Sequence, residues 1–161
     1  MKLSLSFSFC IALLACTGVA FAMKERIISP DGRFEAIISK AKTFLSDTTI
    51  VVFSLSKDGR RQLFGPIKCA RAQFSPNSQF IGIDQSRTFT NASIILFSTE
   101  TGRIIWQISA DVMGNFSEDS KLLSVYQTVE NRYGDDHTSL VSYSTETGEL
   151  ISISRDEDAK I

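Results

Sequence analysis

Beyond position 22 the chain alternates between short apolar runs and clusters of Ser, Pro, Asp, Asn and Gly. Runs rich in Ile, Val and Phe bounded by such clusters read as β-strands. They fall into three groups of four: 26–29, 34–39, 49–55 and 61–64; then 70–74, 80–84, 93–97 and 104–108; then 112–116, 122–127, 139–143 and 150–153. No segment sustains an apolar period of 3.6, so no helix is predicted after position 22.

The punctuation repeats as well. Ile28-Ser29-Pro30-Asp31-Gly32-Arg33-Phe34 lines up with Phe74-Ser75-Pro76-Asn77-Ser78-Gln79-Phe80 and with Phe116-Ser117-Glu118-Asp119-Ser120-Lys121-Leu122. A second landmark, Ser98-Thr99-Glu100-Thr101-Gly102, recurs unchanged as Ser144-Thr145-Glu146-Thr147-Gly148, with Ser56-Lys57-Asp58-Gly59 as a weaker first copy. Two landmarks in one order, three times over, mark an internal repeat. Ser-Pro-Asp-Gly suits a type I turn, where Pro presets φ and Gly accepts the last position. Gly102 and Gly148 suit hairpins that need one residue at positive φ.

Four strands in about 40–45 residues is the period of a propeller blade. On the turn Ser29-Pro30-Asp31-Gly32-Arg33 and the two Ser-Thr-Glu-Thr-Gly turns, the sequence resembles the WD-repeat and TolB-type β-propeller families. The resemblance implies an all-β fold of three four-stranded antiparallel blades, an open or partial propeller. Phe97-Ser98 and Tyr143-Ser144 stand where the family pattern has Trp-Asp, and no Gly-His dipeptide occurs, so the repeats are degenerate. Three blades do not close a ring. Two copies completing a ring of six, a fragment of a longer propeller, and a capped curved stack are the three ways to satisfy the count. An uncapped arc would expose apolar flanks, an association hazard.

Met1 to Ala22 read as a secretory signal: Lys2 begins it, an apolar stretch diluted by serines follows, and Ala20-Phe21-Ala22 supplies small residues at a cleavage site. Leu13-Leu14-Ala15-Cys16 offers a second reading, a lipobox with Cys16 as the lipidated residue, and an uncleaved anchor is a third. The stretch is short of the ~20 apolar residues of a membrane span. The expected product is secreted or periplasmic, or else a lipoprotein anchored through Cys16. The domain layout is a signal at 1–22, a repeat domain at 23–154 with units near 23–68, 69–110 and 111–154, and a polar tail at 155–161.

Composition narrows the chemistry. Lys+Arg number 17 against 18 Asp+Glu, and losing the leader with Lys2 leaves a charge of −2, so no broad nucleic-acid footprint exists. One His and three Cys build neither a His-rich metal site nor a disulfide framework. Cys69 reads as a buried small hydrophobe within a strand, and Trp106 as core or inter-blade filling. No Gly-x-Ser-x-Gly, phosphate-cradling loop, Cys-x-x-Cys or His-Glu-x-x-His occurs, so no catalytic residue, metal site or cofactor is predicted. Asn91 and Asn115 head glycosylation sequons.

The connections between second and third strands, 40–48, 85–92 and 129–138, are the longest and least alike parts of the repeats. Recognition sits on such loops when the scaffold is regular. Phe44, Arg87, Phe89, Arg132 and Tyr133 are of the types enriched at interface hot spots, and Asp135, Asp136 and His137 cluster in the last loop. The function expected from the resemblance is a non-catalytic interaction module with a protein partner and a capacity for homo-oligomers. The alternative is a propeller-type hydrolase or lactonase completed by oligomerisation.

Overall fold

The computed structural model describes residues 23–40, 48–85, 92–130 and 136–155. Strands β1 (Met23–Ile28), β2 (Phe34–Lys40), β3 (Thr49–Ser56) and β4 (Gly59–Lys68) form the first sheet. Strands β5 (Arg71–Phe74), β6 (Phe80–Asp84), β7 (Ser93–Ser98) and β8 (Ile104–Ser109) form the second. The third holds β9 (Val112–Phe116), β10 (Leu122–Glu130), β11 (Asp136–Ser144) and β12 (Leu150–Arg155). Each sheet is an antiparallel meander in chain order, and no strand is exchanged between sheets. No helix occurs among the described residues, as the aperiodic apolar pattern predicts.

The middle sheet is apolar on both faces, which gives β7 its unbroken Ser-Ile-Ile-Leu-Phe run. Ile81, Ile83, Ile95 and Phe97 face the first sheet and join Phe34, Ala36, Ile38, Ile50 and Val52 in one core. Ile94, Leu96 and Trp106 face the third and join Met113, Phe116, Leu123, Val125 and Val141 in the other. Side chains alternate across a strand, so consecutive buried residues must feed opposite layers. Each large aliphatic buried this way stabilises the fold by about 1.5–3 kcal/mol.

Two sequence expectations change. The hairpin in the first sheet turns tightly at Ser56–Gly59, but the pairs Phe34↔Ser54, Phe80↔Ser98 and Leu122↔Ser144 make Ser54 the counterpart of Ser98 and Ser144. β3 and β4 therefore run past the point where the other two hairpins turn. Cys69 lies between β4 and β5, not within a strand; it is buried and not in a disulfide.

Candidate functional site

The sheets have two different ends. At one end lie the three repeated turns, and each is built alike. The hydroxyl of Ser29, Ser75 or Ser117 donates to Oδ1 of Asp31, Asn77 or Asp119, at 2.7 Å in all three. That hydroxyl oxygen accepts the amide of Phe34, Phe80 or Leu122. The Asx oxygen accepts the amide two residues on, from Arg33, Gln79 or Lys121. This is Asx-turn chemistry, and it explains why Asp and Asn exchange freely at that position.

These turns touch their neighbours. The Asp31 amide donates to Ser78 Oγ at 3.1 Å, and the Asn77 amide to Ser120 Oγ at 3.0 Å. Ser78 and Ser120 hold φ of 62° and 63°, the left-handed region that Gly32 occupies at 73° in the first turn. Thr99 and Thr145 of the Ser-Thr-Glu-Thr-Gly turns brace the same serines, donating to the carbonyls of Ser78 at 2.6 Å and Ser120 at 2.8 Å. Burial acts to raise the Asp31 pKa, but hydrogen bonds from the Arg33 amide and side chain and from Ser29, together with the Arg33 charge, lower it to about 2. The Ser117 hydroxyl and the Lys121 amide hold Asp119 below the ordinary carboxylate value.

Adjacent turns meet, so the connections between second and third strands all leave from the opposite end. Connections 41–47, 86–91 and 131–135 lie outside the described residues, but their stems are tied down. Gln85 donates to the Lys68 carbonyl at 3.1 Å and accepts from Ser93 at 3.0 Å. Gln107 Nε2 reaches Ser93 Oγ at 3.3 Å. Asp111 Oδ2 accepts from the Thr128 amide and hydroxyl at 2.6 and 2.8 Å. Tyr143 donates to Gln127 Oε1, and Gln127 donates to the Ser109 carbonyl. Lys40 pairs with Glu25 at 2.8 Å where β2 ends.

Of the residues singled out from sequence, Cys16, Phe44, Arg87, Phe89, Arg132, Tyr133 and Asp135 lie outside the described residues, as does Asn91. Asp136 and His137 open β11, with backbones paired to Glu130 and Val129, rather than lying in a loop. The β10–β11 ladder runs further than turn punctuation indicated because no Gly or Pro stops it before Gly134. Among the described residues no group of three His, Cys, Asp or Glu stands close enough to hold a metal ion, and no helix is long and apolar enough to cross a membrane.

Trp106 fills an inter-sheet seam, with its Nε1 donating to the Ser144 carbonyl at 3.0 Å. Sequence reasoning missed two buried carboxylates. Asp84 accepts the Met113 amide at 3.0 Å and pins the third sheet to the second. Glu35 is bonded by Arg26 and, at 2.8 Å, by Arg60. The available signal was an acidic residue inside an apolar strand.

No protein-family model matches the chain, and no curated protein sequence matches it. Solved structures do. The β-propeller domain of the Trilobed protease from Pyrococcus furiosus, described as having an open velcro topology, aligns with a TM-score of 0.58 at 20% identity, over 83% of this chain and 42% of that one. The fold is that of propeller blades. A putative TolB from Agrobacterium tumefaciens aligns at 0.51 and 12% identity, covering 80% of this chain and 48% of that one. Pyrococcus horikoshii acylaminoacyl peptidase aligns at 0.59 and 15% identity, covering 86% and 26%. The chain thus spans between about a quarter and a half of the length of these structures. At such identities the likeness establishes the blade architecture, and the three blades do not close on themselves.

Proposed function

We propose that this β-propeller module is exported, that it is not catalytic, and that it binds a protein partner through the connections between the second and third strands of its blades. The observation that carries this reading is that three connections of unlike sequence leave one end of a scaffold whose stems are tied by Gln85, Gln107, Asp111 and Gln127. A rigid scaffold with divergent loops lowers the ordering cost of binding. Five of the described carboxylates, Asp31, Glu35, Asp84, Asp111 and Asp119, each engage an amide, a hydroxyl or an Arg side chain within the domain. The leader with Ala20-Phe21-Ala22, or Cys16 in its lipobox, supports export.

The test begins with a partner recovered from an envelope extract and purified. Arg132→Ala and Tyr133→Ala should then each weaken its binding about tenfold or more while leaving the melting temperature within about 1 °C. Unchanged affinity in both variants removes the loop assignment. A metal-dependent turnover lost in His137→Ala would replace the binding module with an enzyme.

A further inference from the structure

The two internal blade junctions share three devices. An aromatic on the outermost strand meets an aromatic of the next blade: Phe64 stacks on Phe97 with centroids 4.2 Å apart, and Trp106 meets Tyr143 at 6.1 Å. A turn amide meets a turn serine, Asp31 to Ser78 and Asn77 to Ser120. At the centre of each receiving face stands a fully buried aliphatic, Ile81 or Leu123.

Among the described residues, none of these devices is present on the outer face of blade 1, the sheet of β1–β4. The counterpart of Phe97 and Tyr143 is Phe53, and its ring is covered by the blade's own Arg60 guanidinium, 3.5 Å from the centroid. The counterpart of Ser78 and Ser120 is Gly32, which has no hydroxyl. The counterpart of Ile81 and Leu123 is Glu35, clamped by Arg26 and Arg60. Arg26 itself replaces the buried Ala72 of blade 2; each pairs with the matching isoleucine, Ile37 or Ile83.

The outer face of blade 3 is altered in a complementary way. In blade 2, Leu96 pairs with Trp106 and Ile94 with Ile108; in blade 3, Ser142 pairs with Ser152 and Leu140 with Ser154. Three of those four apolar positions have become serine, and Ser142 shares a hydrogen bond of 3.1 Å with Ser124. Half-buried Ile37, Val51, Leu122 and Leu140 remain on the two faces, and Ile28, Val112 and Tyr126 are exposed on them. Packing the faces together would bury an Arg–Glu–Arg cluster against serines, without an aromatic contact or a turn hydroxyl to compensate the lost hydration.

We propose that these two faces are end caps: they hold the three blades as a single-copy arc, and a second copy does not complete a ring through them. Terminal repeats with polar outer faces serve this purpose in other repeat proteins.

The test is solution mass by light scattering, across micromolar concentrations, on the protein purified after expression of the full chain. The wild type should keep the mass of one copy. Either pair of substitutions alone would still bury the remaining cap, so Ser142→Leu/Ser152→Trp is combined with Glu35→Ile/Arg60→Ala, and this variant should at least double the mass. A wild-type dimer overturns the proposal. So does a combined variant with an unchanged circular dichroism spectrum and the mass of one copy, and the wild-type mass still decides where that variant does not fold.

Discussion

Gly148→Ala isolates what the seam between blades 2 and 3 contributes, because Gly32 provides its control. Both glycines hold φ of +73°, so an alanine meets the same backbone penalty at each. That penalty is about 1–2 kcal/mol. Around Gly32 an added Cβ meets nothing within 4 Å. At Gly148 it would stand 2.8 Å from Cδ1 and Cγ of Trp106 and 3.0 Å from its Cβ. The ring cannot slide away freely, since Trp106 is 9% exposed and its Nε1 is held by the Ser144 carbonyl. Overpacking of this kind costs about 1–3 kcal/mol. Gly148→Ala should therefore destabilise by about 2–5 kcal/mol, and Gly32→Ala by about 1–2. Urea unfolding followed by far-UV circular dichroism measures both, with equal slopes confirming a common unfolded state. In a Trp106→Ala background the added cost of Gly148→Ala should fall to that of Gly32→Ala. Equal costs for the two glycines in the wild-type background would refute the reasoning and show that the seam yields.

Ser78→Ala and Ser78→Gly should differ in the size of their effect. Both lose the acceptor of the Asp31 amide, costing about 1–2 kcal/mol, but glycine also relieves the left-handed strain, so Ala should melt several degrees below Gly. Acid stability depends on Asp31 and Asp119. Their folded pKa values are depressed, so the stabilisation is present above the ordinary carboxylate pKa and fades as pH falls through the folded values, about 2 for Asp31. Solvent screening keeps the Asp31 share below about 1 kcal/mol. Comparing wild type with Asp31→Asn at about pH 3 and about pH 6 should show a smaller pH response in the variant, with Asn77 as the natural precedent for an uncharged side chain making the same turn bonds.

The strands were legible because turn chemistry is local. Ser29, Asp31 and Gly32, and their counterparts, close turns through bonds spanning at most five residues, and that information lies in consecutive letters. Trp106 as inter-blade filling and Cys69 as a buried small residue were legible from their types, and positive φ at Gly102 and Gly148 from the turn they close. The candidate binding site was legible only as loop length and residue type. The first hairpin was misaligned because Ser56-Lys57-Asp58-Gly59 imitates the later landmark in composition, whereas its register is set by the pairing of β2 with β3.

Local sequence alone determined that the chain makes three meanders of four strands. Which side of each strand faces which neighbour was decided by tertiary structure, since a run such as Ser93–Ser98 is apolar at every inner position and serves two cores at once. The same holds for Glu35, Ser142 and Ser152. The repeat alignment already sets Glu35 and Ser142 against Ile81 and Leu96, and strand pairing sets Ser152 against Trp106; only the stacking of the sheets reveals that these positions are the ones a neighbouring blade covers in blade 2 and leaves uncovered at the ends. The polarity of a face becomes meaningful once packing has defined the face, because burial is a property of the layers and not of the strand.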